Sequence, residues 1–262
     1  MPGCRESETN AEVAYADQSN AKGPAEGTTG TQGVELKVTV SQEKEDAAAR
    51  AFGLDQKPGE RRRIFFFDTP DLALFKHGVV LRAREKKGGK DDSTVKIRPV
   101  DPEKLADKWH RLTGFNIEAD GVGNTLTRSA SLSVEQGDDE IKAVERNIRA
   151  IEKLYSPEQE QLLAEMSPVR VNFKELWVLG PGHAVRWDVT HEALSYPIAV
   201  EEWTLTDGWD LIEVSIKVKT AQASTASAAF DEFLKGLHLK PQGGQETKTR
   251  IALEFFVKQL TV

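Results

Sequence analysis

The sequence predicts an α+β protein in which an antiparallel sheet closes, or nearly closes, around a charged interior, with helices on its outside. Short segments of alternating apolar and polar residues, typical of strands with one buried face, occur in both halves of the chain. Amphipathic helical segments lie between them and can cover the apolar face. The alternate positions that form the polar face of five predicted strands include seven basic residues, namely Lys37, Arg82, Arg84, Lys96, Arg98, Arg186 and Lys217. We call the two sets of alternate positions on a strand its parities.

The overall composition makes this local concentration of basic side chains informative. The 262 residues carry a formal net charge of −7, which argues against a general binder of nucleic acid or of anionic membranes. Cys4 is the only cysteine, which excludes an intrachain disulfide and a cysteine-based zinc site. Because no apolar run has transmembrane length and the N-terminus has no hydrophobic signal core, we expect a cytoplasmic protein.

The first predicted elements follow a tail that we expect to be disordered. Residues 1–32 contain few large apolar side chains, so burial cannot offset the entropy lost on ordering them. Four apolar residues alternate with polar ones over 34–40, which predicts a strand. A helix is predicted over 43–53, ending at Gly53, and a second strand over 64–67.

The most informative stretch is a β-hairpin predicted for residues 79–86 and 94–99, which are joined by a polar turn containing glycine. Because successive strand side chains point to opposite faces, four basic residues share one face of this hairpin. They are Arg82, Arg84, Lys96 and Arg98. Like charges on adjacent strands are unfavourable unless an anion lies between them. The alternative is a twisted sheet with one salt-bridged face in solvent.

The middle of the chain predicts a second, weaker strand pair at 115–120 and 126–134. Apolar residues recur every three or four positions over 138–155, which predicts one amphipathic helix. The sequence from Ser156 to Gln159 is a capping box with proline at the first helical position, so another helix should run to about residue 166.

The second half predicts four more strands, at 169–179, 183–190, 197–207 and 210–220, and two helices, at 222–237 and 247–260. Carboxylates interleave with the basic residues on the polar parities; these are Glu35, Asp188, Glu201 and Glu213. Carboxylate oxygens suit a hard divalent cation, and each arginine can bind phosphate oxygens through two parallel hydrogen bonds. The predicted interior therefore suits a chain of phosphoryl groups.

Six motifs occur in an order that resembles a known family. They are Glu35-Leu36-Lys37, Asp68-Thr69-Pro70, Leu81-Arg82-Ala83-Arg84, Lys96-Ile97-Arg98, Glu213-Val214-Ser215-Ile216-Lys217 and Thr247-Lys248-Thr249. Together they resemble the CYTH superfamily, the triphosphate tunnel metalloenzymes, which include class IV adenylyl cyclases, thiamine triphosphatases and inorganic triphosphatases. The resemblance implies an eight-stranded antiparallel β-barrel with helices packed on the outside, formed by residues 33–262. A helical insertion would occupy about 101–166.

The resemblance also implies roles for individual residues. Substrate binding is implied for Lys37, Arg82, Arg84, Lys96, Arg98, Arg186 and Lys248, and we add Lys217 from its strand parity. Mg²⁺ or Mn²⁺ would be held by Glu35 and Glu213, with Glu201 as a third ligand. The catalytic set would be Glu35, Lys37, Arg82 and Arg84. Gly33 and Ser215 stand where the family often has glutamate, which puts a two-metal site in doubt.

We therefore predict a metal-dependent hydrolase of inorganic tripolyphosphate or an organic triphosphate, with a small-molecule triphosphate or polyphosphate as its partner and neither nucleic acid nor membrane. One alternative is a class IV adenylyl cyclase that makes cyclic AMP from ATP. The other is a tunnel that binds polyphosphate or nucleotides without catalysis, which Gly33 and Ser215 favour. The sequence does not predict the oligomeric state.

Overall fold

The computed structural model describes residues 33–40, 42–122, 125–205, 209–239 and 247–260. The predicted disordered tail at 1–32 lies outside the described residues.

Nine strands form a closed barrel. The strands are β1 (Gly33–Val40), β2 (Glu60–Asp68), β3 (Val79–Lys86), β4 (Asp92–Ile97), β5 (Phe115–Val122), β6 (Thr125–Glu135), β7 (Trp177–His191), β8 (Leu194–Leu205) and β9 (Trp209–Val218). The α-helices are α1 (Glu45–Phe52), α2 (Ala73–Lys76), α3 (Asp107–His110), α4 (Glu140–Glu145), α5 (Pro157–Met166), α6 (Ala223–Gly236) and α7 (Lys248–Leu260).

Around the barrel the strands follow the order β1-β5-β6-β4-β3-β2-β7-β8-β9, and β9 pairs back with β1. Eight of these pairings are antiparallel, but β1 and β5 run parallel, with Glu35 opposite Asp120. The prediction of eight antiparallel strands is therefore wrong in the count and in one pairing. The alternation of apolar and polar residues shows which face of a strand is buried, but it does not show which strand lies next to it. The sequence pattern therefore could not predict the parallel pairing of β1 with β5.

Two apolar layers cover the outside of the barrel. The outward residues of β1, β8 and β9 pack against α1 and α6, through side chains such as Phe52, Phe230 and Phe233. The outward residues of β2, β3, β4, β5 and β6 pack against α4 and α5, including Leu162 and Leu163. Burial of this apolar surface on the outside leaves the opposite strand parity free to be polar. No helix in the described part of the chain is both long and apolar enough for a membrane crossing.

The helix α7 packs against the inner face instead. At one end of the barrel the inward parity is apolar, and Ile64, Phe66 and Trp203 form a cluster there with Leu253 and Phe256 of α7. The start of α7 thereby brings Lys248 to the polar part of the interior.

The motif Asp68-Thr69-Pro70 has a structural role in the turn before α2. The buried Asp68 carboxylate accepts hydrogen bonds from the backbone N–H groups of Leu74 and Phe75, each at 2.9 Å. These bonds satisfy amide groups at the start of the helix, which have no partner within it.

Two predictions differ from the structure by more than the end residues of an element. The helix predicted over 138–155 consists of α4 and a separate 3-10 helix, Ile151–Leu154. Asn147 lies between them with φ of 57°, which ends the α-helical path, and Ile148 of the predicted stripe is 76% exposed. The strands predicted at 169–179 and 183–190 are one strand, β7, which begins only at Trp177 and continues through Gly180.

Candidate active site

The inside of the barrel is a charged cavity of about 280 Å³, called the lumen below. Nine cationic and five anionic side chains line it. The cations are Lys37, Arg62, Arg82, Arg84, Lys96, Arg98, Arg186, Lys217 and Lys248, and the anions are Glu35, Glu118, Asp120, Glu201 and Glu213. The lumen thus brings together all eleven residues proposed from the sequence. The chain as a whole carries a net charge of −7, so the excess of positive charge in the lumen is local.

The hairpin of β3 and β4 supplies the most basic wall. Arg82 is partly buried and its Nε, which water does not reach, has no hydrogen-bond partner within the described ranges. Burial disfavours its charged form and Arg84 adds a like charge, which together lower the pKa of Arg82 to about 10. Arg84 itself pairs with Asp92 at 3.0 Å. The wall therefore contains one guanidinium that pairs with a carboxylate and one that does not.

On the opposite edge of the same wall, Lys96 pairs with Asp120 of β5 at 2.5 Å. Burial and the nearby positive charge of Lys37 lower the pKa of Lys96, although Asp120 opposes this shift. The guanidinium of Arg98 lies over the ring of Phe75, 5.9 Å from its centre.

A carboxylate cluster lies where β1 and β5 run side by side. One oxygen from each of Glu35, Glu118 and Asp120 lies within 4.8 Å of the other two. Lys37 bridges two of these residues, with Nζ 2.8 Å from Glu35 Oε2 and 2.9 Å from Asp120 Oδ1. The arrangement presents three hard oxygen donors to one point in the lumen.

Charge pairing keeps Glu35, Lys37 and Asp120 ionised. Burial alone would raise the pKa of Asp120, but Lys37 and Lys96 hold it well below its ordinary value. Burial opposes ionisation of Glu35 as well, and Lys37 and Lys217 lower its pKa. Burial would lower the pKa of Lys37, but Glu213, Glu35 and Asp120 raise it. Glu35, Lys37 and Asp120 are therefore charged at neutral pH.

Glu201 and Glu213 form a second acidic group, directly opposite each other on β8 and β9. Lys248 binds both, and its Nζ lies 2.8 Å from Glu213 Oε1. Glu201 Oε1 accepts hydrogen bonds from Arg62 and Arg186. Glu201 Oε2 accepts hydrogen bonds from Trp203 and Lys248. Burial would raise the pKa of Glu201, but Lys248 and the other cations hold it well below its usual value. In this arrangement Glu201 holds the side chains of Arg62, Arg186 and Lys248 in place through ion pairs.

Two further predicted residues lie closer to solvent. The Lys217 side chain is 62% exposed and binds Glu118 at 2.7 Å. Arg186 binds Glu201 and also Asp188, whose side chain is 75% exposed and does not line the lumen. Asp188 therefore differs from the other carboxylates that the strand parity placed inside.

Sequence reasoning missed three charged residues of the lumen: Arg62, Glu118 and Asp120. A signal for the two acids was present, because Asn116, Glu118 and Asp120 alternate with Phe115, Ile117 and Ala119. Arg62 was missed because it lies within three consecutive arginines, Arg61–Arg63, where no apolar residue shows which side chains point into the barrel.

Comparison with known proteins identifies the fold. No family model and no curated protein matches the chain. A solved structure of a candidate adenylate cyclase from Bacillus halodurans matches with a TM-score of 0.57 and 18% identity, over 85% of this chain and 98% of that one. A candidate adenylyl cyclase from Hippeastrum, described as having a dominant triphosphatase activity, matches with a TM-score of 0.58 and 17% identity, over 84% and 95%. The predicted resemblance to the triphosphate tunnel is confirmed for the fold.

Proposed function

We propose that this chain is a metal-dependent hydrolase that holds the triphosphate group of its substrate in the lumen. The observation that supports this most strongly is the excess of cations there, with Arg82 partly buried beside Arg84 and its Nε without a hydrogen-bond partner in the described ranges. A polyanion supplies the missing negative charge, and arginine binds phosphate oxygens in a planar, two-pronged geometry.

The carboxylate cluster fits a divalent cation. We assign Glu35, Glu118 and Asp120 as its ligands, because their oxygens converge and Mg²⁺ and Mn²⁺ prefer oxygen donors. Glu118 lies opposite Gly33 in the β1/β5 register, so the neighbouring strand provides a carboxylate beside the position where the family motif has one. A bound divalent cation would neutralise phosphate charge and polarise the phosphoryl group.

The residues of the chain then have distinct tasks. Arg82, Arg84, Lys96 and Arg98 bind the oxygens of the phosphate chain, and their fixed positions stabilise charge as it moves to the leaving group. With a cation held by these carboxylates, Lys37 would be free to donate to a phosphate oxygen. Water attacks the terminal phosphorus as the bond from phosphorus to the bridging oxygen breaks. One proton of the water passes to solvent, the other stays on the released phosphate, and the shortened diphosphate product leaves with the bridging oxygen. Phosphoryl transfer depends mainly on positioning and electrostatics, so no strong protein base is required.

Adenylyl cyclase activity is the second candidate. The Bacillus halodurans and Hippeastrum structures are both described as candidate cyclases, but the dominant triphosphatase activity of the Hippeastrum protein favours hydrolysis here. The products from ATP distinguish the two reactions: a cyclase releases cyclic AMP and pyrophosphate, whereas a triphosphatase releases ADP and phosphate.

A binding tunnel without catalysis is the third candidate. The observation in its favour is that Lys37 already bridges Glu35 and Asp120, so part of their negative charge is balanced without a divalent cation. Binding that needs no divalent cation, with no turnover, would support it.

The test is phosphate release from tripolyphosphate and from ATP, with and without Mg²⁺ or Mn²⁺. We expect metal-dependent release that falls at least about a hundredfold in Glu35→Gln, Asp120→Asn and Arg82→Ala, as is usual for a lost electrostatic contact to the transition state. Glu192→Gln, at an exposed residue outside the lumen, is the matched control. Release at the parental rate by Glu35→Gln would contradict the metal assignment.

A further inference from the structure

A lysine lies between the two carboxylates of the second acidic group in the lumen. The ammonium of Lys248 pairs with Glu201 and with Glu213, and its Nζ lies 2.8 Å from Glu213 Oε1. The same Nζ lies over the ring of Trp203, 5.5 Å from its centre. The family resemblance implied that Glu201 and Glu213 hold a metal ion, but in the structure the chain itself supplies a cation there.

The fold fixes the position of Lys248. It is the first residue of α7, and Leu253 and Phe256 of this helix pack with Trp203 on the inner face of the barrel. The side chain of Lys248 is 17% exposed, so most of it is shielded from water. Removal of one partner from a buried ion pair is costly, because the remaining charge is then uncompensated. The ion pairs and the packing of α7 therefore both keep Lys248 in the lumen.

The hydrogen bonds of Glu201 leave little room for a metal ion. Each of its oxygens already accepts two hydrogen bonds from the chain, and a carboxylate offers about four such positions in all. A divalent cation could bind Glu201 only by displacing one of these donors. Lys248 is the donor that Glu201 shares with Glu213, so a second metal ion at this pair would have to displace Lys248.

The carboxylate cluster of Glu35, Glu118 and Asp120 is more open to a cation. Its three oxygens converge, but Lys37 bridges only two of its members. Glu118 pairs instead with Lys217, whose side chain is 62% exposed. An exposed ion pair contributes little to stability, so a cation can replace Lys217 at Glu118 at small cost.

The two acidic groups are separate from each other. In the register of β1 with β9, Glu35 lies opposite Lys217, whereas Glu213 lies opposite Thr39. The offset from position 35 to position 39 corresponds to about 13 Å along the strand. Within the described ranges, no convergent set of three carboxylates includes Glu213. A metal ion in the carboxylate cluster therefore does not need Glu213 as a ligand.

On the basis of the metal-dependent function proposed above, we propose that the lumen takes up one divalent cation and not two. The carboxylate cluster holds that ion, and Lys248 takes the place of a second metal ion at Glu201 and Glu213. An ammonium has three N–H donors, of which two bind these carboxylates, so one remains for a phosphate oxygen. Lys248 thus supplies positive charge and a hydrogen bond at the second acidic group.

The experiment counts the Mn²⁺ ions bound per chain by electron paramagnetic resonance, in a buffer without phosphate compounds. The variant is Lys248→Met, which removes the ammonium and keeps an unbranched side chain. We expect one bound ion for the parent and two for Lys248→Met, because Glu201 and Glu213 then lose the cation between them. The matched control is Lys217→Met, which removes another lysine of the lumen and should bind one ion.

A second pair of variants tests the same assignment at the carboxylate. Glu213→Gln should still bind one ion, because Glu213 is not a ligand of the carboxylate cluster. Lys248→Met/Glu213→Gln should also bind one, because the second acidic group then has a single carboxylate. Circular dichroism establishes that each variant is folded.

Three results would overturn the role of Lys248. They are two ions bound by the parent, no additional ion bound by folded Lys248→Met, and loss of the parental ion in Glu213→Gln. The failure of the proposed function gives a different result. If the parent bound no Mn²⁺, the metal-dependent function would fail, whereas one ion gained by Lys248→Met would still support the role of Lys248.

Discussion

At the scale of single residues, Arg82 is suited to bind an anion but lowers the free energy of unfolding when no anion is bound. Its guanidinium, of which Nε is buried, lies beside Arg84, and the lowered pKa of Arg82 means that the folded chain releases its proton more readily than the unfolded chain does. Below a pH of about 10, the charged side chain therefore reduces the free energy of unfolding, and only above that value is the cost relieved.

Replacement of Arg82 by methionine should consequently stabilise the protein when no anion is present. We expect the free energy of unfolding to rise by roughly 1–3 kcal/mol, because the cost of the buried charge disappears while most of the apolar stem is kept. Denaturant unfolding in a buffer without phosphate or sulfate measures this. Arg111→Met, at an exposed arginine, is the control. A lower unfolding midpoint for Arg82→Met would show that Arg82 is well compensated.

Glu202 is a second uncompensated charge, on the outside of the barrel. Burial, Asp210 and Asp55 raise its pKa, and Glu45 nearby has a raised pKa from burial, Asp210 and Glu202. A carboxyl with a raised folded pKa is most favourable to the fold when protonated, so its contribution is lost as pH rises through that value.

We therefore expect Glu202→Gln to be more stable than the parent at pH 7, by roughly 0.5 kcal/mol for this partly exposed group. Below the ordinary pKa of glutamate, about 4, the difference should vanish because Glu202 is then protonated in both states. Thermal melts across this pH range test it, with the exposed Glu192→Gln as reference. A gain that persists at low pH would point to a cause other than ionisation.

At the scale of elements, one buried amide joins α5 to the barrel in addition to the apolar contacts of Leu162 and Leu163. Gln159 donates to the backbone carbonyls of Ser93 at 3.2 Å and Leu132 at 2.9 Å, and its Oε1 accepts from the N–H of Ser156 at 3.0 Å. The same residue thus completes the capping box of α5 and joins the helix to β4 and β6.

Gln159→Ala should destabilise the fold by about 2–4 kcal/mol, since it leaves several buried polar groups unpaired. The control is Gln161→Ala, which removes an exposed glutamine from the same helix. It should change the free energy of unfolding by less than about 0.5 kcal/mol. Urea unfolding of both variants measures the difference. Tripolyphosphate affinity should not change in either, because α5 lies outside the barrel; comparable destabilisation by both would contradict the anchoring role.

The elements also show what sequence patterns can and cannot predict. The capping box of α5 and the hairpin of β3 and β4 were predicted correctly, although β4 covers Asp92–Ile97 and not 94–99, because local turn and cap chemistry determines them. The break at Asn147 and the parallel contact of β1 with β5 depend on tertiary packing, which local periodicity does not report. The acids Glu118 and Asp120 join the site only through that contact, so their place beside Glu35 could not be predicted from strand parity alone.

At the scale of the whole molecule, the distribution of charge separates the lumen from the rest of the chain. Nine cations face five anions within the lumen, while the net charge of the chain is −7. A multiply charged anion in the lumen should therefore stabilise the entire fold, because it binds the native state and has no equivalent site on the unfolded chain.

Tripolyphosphate at about one hundred times its dissociation constant should stabilise the fold by about 2.7 kcal/mol, which corresponds to a rise in Tm of roughly 5–10 °C for a chain of this size. The rise should shrink as added salt shortens the screening length from about 10 Å at 0.1 M to about 3 Å at 1 M. Arg82→Ala should reduce it, and Arg111→Ala should preserve it. An equal rise with sodium chloride of matched ionic strength would mean general screening of surface charge, and would remove the lumen as the cause.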